Sequence, residues 1–230
     1  MSERPVSGFQ FGRVLRGWWW LLGRDLRAIM PAVLAWFAGG IILRQIDIAL
    51  GLTPGDAWLS TTQLAEPLFA GMLYVIGLSH DRMTPGVSLG IVLNRYLPLL
   101  ILSVLSTLGV VAGILFLILP GIALGVLWSI AFPILIVERA NPIEALGASF
   151  SRLKSVFWPV LGLIAIYFFG MLICGGLTGV FDATEREGRM SLQILDAAFA
   201  AVVGGIGVYL NVAIYKELGF TGGHDVSVFD

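Results

Sequence analysis

Few residues in this chain are of a type that does chemistry. Its 230 residues include two histidines, His80 and His224, and one cysteine, Cys174. A metal centre needs three or four converging His, Cys, Asp or Glu ligands. His80 has only Asp81 beside it, and His224 sits in the polar stretch Thr221-Gly222-Gly223-His224. The expected reading is an interfacial polar pair and a tail residue, with no metal site. Ser103, Ser106 and Ser129 fall within apolar runs that hold no His or Lys to serve as a base, so their hydroxyls are expected to bond backbone or pack helices. Cys174 likewise has no basic neighbour and reads as an inert thiol. Val203-Gly204-Gly205-Ile206-Gly207 lies inside an apolar run, which suits close helix approach rather than a phosphate loop, with Gly170, Gly175 and Gly176 as the facing residues. Glu66 and Asp196 are the ionisable groups nearest to membrane depth. They are candidates to line an outward-facing polar vestibule, although helix-start chemistry beside Pro67 also accounts for Glu66. The expectation is a protein without catalytic residues or cofactor, and not an enzyme.

The elements that would position these residues are apolar helices. Hydrophobic residues make up 57% of the chain and charged residues 13%, against about 25% charged in soluble domains. Mean hydropathy is +0.91. A soluble fold of this length leaves roughly a quarter to a third of its unfolded area exposed, so it cannot hide this composition. The net charge of -1 offers no bulk attraction to nucleic acid. A bilayer core needs about 20 apolar residues per helix. Six runs qualify: about Ala28 to Ile42, Gln63 to Leu78, Leu97 to Ile118, Ile122 to Val137, Phe157 to Leu177 and Ile194 to Tyr215. Leu119-Pro120-Gly121 is the expected turn between the third and fourth. Unbroken stretches such as Ile114-Leu115-Phe116-Leu117-Ile118-Leu119 exclude the alternating pattern of a β-barrel. The fold class predicted is all-α, a polytopic membrane protein of six transmembrane helices. Arginines at positions 13, 16, 24 and 27 interrupt the N-terminal region, so the first span is expected to stay as an anchor rather than be cleaved.

Six spans bring both termini to one side. On that side lie eleven of the fourteen basic residues, and on the other only Arg44, Arg186 and Arg189. The excess of Lys and Arg marks the cytoplasmic face, which predicts a bacterial cytoplasmic membrane protein with both termini inside.

A repeat organises the middle of the chain. Asp81-Arg82-Met83-Thr84-Pro85, followed by Leu89-Gly90, Leu93 and Arg95, matches Glu138-Arg139-Ala140-Asn141-Pro142, followed by Leu146-Gly147, Phe150 and Arg152, at one offset of 57. Thr84 and Asn141 suit N-caps and the prolines suit the first helical position. Glu144 is placed to complete a capping box. Each cap should begin a cytoplasmic amphipathic helix lying in the interface, with Leu89, Val92 and Leu93 on one side of the first, and Leu146, Phe150 and Leu153 on one side of the second. At the prolines that follow, Pro98 and Pro159, the offset becomes 61. Phe11 to Arg16, with Pro31 opening a span, makes a weaker third copy. The chain thus divides into hairpin units 9–80, 84–137 and 141–216 and a tail, 217–230, within a single transmembrane domain.

From Leu119-Pro120-Gly121-Ile122 through Trp128, Pro133, Glu138, Pro142-Ile143-Glu144-Ala145-Leu146, Ser149 and Arg152 to Phe157-Trp158, the chain resembles the YciC-type bacterial integral membrane proteins. The same residues resemble the related membrane domain fused to some glycerophosphodiester phosphodiesterases. The likeness covers about residues 86 to 165, and Gly147 and Ala148 depart from it where the family has basic residues. It implies an inner-membrane protein and no particular activity. The phosphodiesterase function does not carry over, because the chain has no room for that catalytic domain.

Trp18-Trp19-Trp20 is framed by Arg13, Arg16, Arg24 and Arg27. Tryptophan settles at the headgroup level and arginine attracts anionic lipid. Together with Arg95, Arg152 and Lys154 these residues form a candidate headgroup-binding rim. The functional expectation is association with membrane lipids, with another membrane protein, or with further copies of itself. The alternative is a small-solute or lipid transporter or channel.

Overall fold

In a computed structural model the chain is described over residues 9–51, 60–79, 83–178 and 190–219, with the side chains of 177, 178 and 190–192 left aside. Helix is the only regular structure among these residues. Five helical stretches are long and apolar enough to cross a membrane: Phe11–Ala49, Tyr96–Phe116, Ile118–Val137, Pro142–Gly176 and Gln193–Glu217.

Helix α1 (Phe11–Ala49) runs unbroken for 39 residues, about 58 Å at 1.5 Å per residue. The expected separation of an interfacial helix from a span opened by Pro31 is not seen, because Pro31 lies inside α1. Its buried stripe of Val14, Leu21, Asp25, Ile29 and Ala32 recurs every three to seven residues, so one face stays turned to the protein through the proline. That face packs along α9 (Met190–Glu217). The two helices run antiparallel, with Arg13 on Glu217 at one end and Arg44 on Asp196 at the other. Both helices end at a glycine in the left-handed region, Gly51 (φ 73°) and Gly219 (φ 72°), a conformation that costs other residues energy.

Helix α2 (Thr61–Leu78) is the centre of the molecule, with every residue from Gly71 to Leu78 buried. It falls outside the five apolar stretches, since its first two turns carry Thr61, Thr62, Gln63 and Glu66. Helix α3 (Pro85–Asn94) docks back on α2. A Cβ added at Gly71 would lie 3.0 Å from Val92.

The central hairpin departs in detail from expectation. Helix α4 (Tyr96–Phe116) ends at Leu117, whose extended backbone makes the reversal, and α5 (Ile118–Leu127) begins at once. Pro120 and Gly121 therefore sit in the first turn of α5, not in the loop. Proline is tolerated there because first-turn N–H groups have no helical partner. Gly121 is needed for contact: a Cβ on it would collide with the backbone of Ile114. The fourth predicted span is also divided, with a break at Trp128–Ile130 before α6 (Ala131–Val137).

Helix α7 (Pro142–Leu153) has the predicted capping box. The Asn141 side chain accepts from the Glu144 N–H, and Glu144 accepts from the Asn141 N–H. Thr84 occupies the corresponding cap of α3 without a side-chain bond. A 3₁₀ turn at Lys154–Val156 leads into α8 (Phe157–Thr178). This turn and the longer α7 account for the change of offset from 57 to 61, since α3 is followed only by Arg95 before α4 begins.

The inward faces of α3 and α7 match the expected apolar sides only in part, at Val92 and Leu153. Ser88 and Val92 are buried in α3, and Ala145, Ser149 and Leu153 in α7, whereas Leu93 and Phe150 are exposed. The helices turn small residues inward and pack closely on α2 and α6. The Ser149 hydroxyl donates to the Leu127 carbonyl over 2.7 Å, which satisfies a carbonyl at the α5 break. Burial follows the repeat positions: Ser88 and Ala145, and Val92 and Ser149, match at 57, while Leu99 and Val160, and Leu102 and Leu163, match at 61.

Candidate functional site: the basic rim

One end of the bundle gathers the start of α1, the end of α2, the start of α7 and the end of α9. Its chemistry divides into an inner and an outer set of cations.

The inner set is engaged by the protein. Arg24 forks onto Asp25 at 2.6 and 2.7 Å and also donates to the Ser79 carbonyl at 3.2 Å. Asp25 is buried and is approached by the Tyr209 hydroxyl at 3.4 Å. Lys216 donates to the Gly77 carbonyl at 2.8 Å. Two cations thus meet the negative end of the α2 dipole. The opposite end is met by an anion: Asp47 accepts from the Thr61 and Thr62 N–H groups and from the Thr62 hydroxyl. Such a charged cap contributes about 1 kcal/mol. The sequence reading placed Arg24 among the headgroup residues. The structure turns it inward.

Arg152 is engaged in a similar way. It forks onto Glu138 at 2.5 and 2.8 Å, and the Tyr215 hydroxyl donates to the same carboxylate at 3.2 Å. Arg139 makes the tight turn between them with φ 52°. Arg95 is partly buried beneath α4, and burial, with the nearby charge of Arg139, lowers its pKa. Asp81, which precedes Arg95 by the spacing that separates Glu138 from Arg152, lies outside the described residues, as do His80, Arg82 and His224.

The outer set forms a stripe on α1. Arg13, Arg16, Trp19, Trp20 and Arg27 are exposed; Arg16, Trp19, Trp20 and Arg27 share the face opposite the buried stripe, and Arg13 lies at its flank. Trp19 is 73% exposed and Trp20 61%. Arg24 lies over the Trp20 ring at 5.1 Å, fixing that indole on the outer surface. Arg13 also pairs with Glu217 at 2.7 Å. Trp18 is different: it is partly buried and its indole donates to the Ile206 carbonyl at 3.2 Å. The pattern recurs at the start of α8, where exposed Lys154 stands one turn before Trp158, itself 77% exposed. In both places a cation precedes an exposed tryptophan by four residues on a helix leading away from the rim.

At the other end, Asp196 pairs with Arg44 at 2.6 Å and Gln45 donates to Gln193 at 3.0 Å. Glu66 stands in the second turn of α2, exposed and beyond the Ser60 N-cap, so it plays no part in starting the helix. The structure does not draw Glu66 and Asp196 together through any of these contacts.

The sequence reading missed Asp25, Tyr209 and Tyr215 as rim residues. The adjacent Arg24-Asp25 pair was the available signal, because an acid inside a basic-aromatic run needs a partner. No family model, curated protein or solved structure matches the chain.

Proposed function

We propose that the chain is an integral protein of the bacterial cytoplasmic membrane that works by association rather than catalysis. Its rim of arginine and tryptophan would hold anionic lipid headgroups, or a partner membrane protein or second copy carrying similar charge. The observation that carries this reading is the exposed stripe Arg16, Trp19, Trp20 and Arg27, with its counterpart Lys154 and Trp158. Indoles beside cations at a helix end are the combination that headgroups bind. In this reading six helices lie in the bilayer, α2 among them, because its second half, Gly71 to Leu78, is buried against its neighbours and its polar opening turns stand at the end of the bundle away from the rim. Arg13 beside Glu217 puts the start of α1 and the end of α9 at one end of the bundle, as an even number of crossings requires, and the basic excess assigns that end to the cytoplasm. The matched burial at offsets 57 and 61 supports descent of the second and third hairpins from one unit and fits membership of the YciC-type group.

The test is native mass spectrometry from nanodiscs containing phosphatidylglycerol. Replacing Arg16, Arg27 and Lys154 with glutamine should strip retained anionic lipid while leaving the protein monodisperse. Unchanged lipid retention would defeat the reading. Arg24 is left intact in that experiment because it holds the α2 terminus.

A transporter is the second reading, favoured by the α5–α6 break, where the Ser129 hydroxyl is buried without a hydrogen-bond partner among the described residues. Broken helices commonly hold substrate sites. Solute flux in proteoliposomes that is abolished by Ser129→Ala would support it, and no flux for any solute tried would count against it.

A further inference from the structure

From Tyr96 to Val137 the chain holds no charged residue. The reversal in its middle is built from Ile, Leu and Phe alone, and the side chains of Leu115, Phe116, Leu117, Ile118 and Leu119 are 67–86% exposed. A turn that meets water normally supplies polar caps, as Ser60 and Asp47 do for α2. Here the cap of α5 is Leu117, and it makes no side-chain bond. The reversal instead limits its own unpaired polar groups. The Leu117 N–H donates to the Gly113 carbonyl at 3.0 Å. Pro120 brings no N–H into the first turn of α5. Gly113 and Gly121 let the arms touch, since a Cβ on Gly113 would sit 2.8 Å from the Gly121 Cα.

Arm length agrees. The 21 residues of α4 rise about 31 Å, close to the thickness of one hydrocarbon core with no allowance for headgroups or tilt. Both arms start from charges on the rim side, Arg95 and Glu138. We propose that this hairpin is re-entrant, not a pair of full crossings: its tip, Leu115 to Leu119, ends among the acyl chains of the far leaflet and presents no loop to the water beyond, which leaves four helices crossing completely and keeps both ends of the chain on one side. The occupant of the exposed apolar tip is lipid hydrocarbon. The inference rests on the membrane reading above and is independent of headgroup binding at the rim.

The experiment is site-directed spin labelling of the full chain in phosphatidylcholine and phosphatidylglycerol liposomes, in a Cys174→Ser background. Nitroxides are placed at Leu117→Cys and, as an independent variant, Phe116→Cys. Collisions are measured with oxygen, which concentrates in hydrocarbon, and with a water-soluble nickel chelate. Gln45→Cys, at the polar end of α1, serves as the aqueous reference. Ile166→Cys, on an exposed face of α8, serves as the lipid reference. The expected result at both tip positions is nickel accessibility at least tenfold below that of Gln45, with oxygen accessibility equal to or above that of Ile166. Nickel accessibility like that of Gln45 would overturn the proposal, since the tip would then reach water. Low accessibility to both reagents would also overturn it, because protein rather than lipid would cover the tip. If Ile166 itself proved open to nickel, the membrane reading would fail instead.

Discussion

At the residue scale, the chain separates cations that hold the protein together from cations it shows to its surroundings. Arg24 and Arg152 carry forked bonds to Asp25 and Glu138, a geometry that lysine cannot reproduce. Arg152→Lys should therefore lower the midpoint of thermal unfolding in detergent, with a cost of about 1 kcal/mol for a partly exposed forked pair. Arg16→Lys, on the outer stripe, should leave that midpoint unchanged. Equal midpoints for both variants would show that the Glu138 pair contributes nothing. Sequence could not distinguish these arginines, because which way a side chain turns depends on helices distant in the chain. Asp25 was the one local clue. The repeat came closer: it singled out Glu138 and Arg152 through their counterparts Asp81 and Arg95 without showing that they pair.

At the element scale, the glycines of α9 were legible as contact points, but their partners were not. Two of the three facing glycines expected on α8 are absent from the contact: a Cβ at Gly170 or Gly176 meets nothing within 4 Å. Aromatic rings fill the space instead. A Cβ at Gly204 would lie 2.6 Å from the Trp36 ring, and one at Gly207 would lie 2.7 Å from the Tyr167 hydroxyl, which donates to the Val203 carbonyl at 2.9 Å. Gly204→Ala should destabilise by about 1–3 kcal/mol, the usual cost of overpacking, and Trp36→Leu in the same chain should recover much of the loss. Gly170→Ala should be neutral. Size-exclusion profiles after graded heating would rank the three. The capping box of α7 was legible because caps are local chemistry. The inward faces of α3 and α7 were legible only at Val92 and Leu153, because Ser88, Ala145 and Ser149 carry no hydrophobic periodicity.

At the scale of the whole molecule, α1 and α9 form a clasp around α2. Helical class and apolar length followed from composition, since burial in lipid demands long apolar runs. The union of the first and last described helices had no such signature, because nothing in either sequence names its partner. Cysteines placed at Arg13 and Glu217 should be joined by a bifunctional thiol reagent about 10 Å long in membranes, in a Cys174→Ser background, within one polypeptide. Failure to cross-link, or a cross-link only between two polypeptides, would contradict the clasp. The same pair, probed in intact cells, reports the side of the membrane: in the cytoplasmic orientation neither cysteine reacts with a membrane-impermeant maleimide until the cells are opened.

The placement of charge at the two ends of α2 also bears on how the protein is made. Asp47 and Arg24, from α1, precede α2 out of the ribosome, but Lys216 follows only after α3 to α8 have been synthesised. Until then the closing half of α2 lacks the contacts of Leu73, Tyr74 and Gly77 with α9. Biogenesis is therefore not a sequence of finished hairpins. The first pair of helices is finished only when the last one arrives.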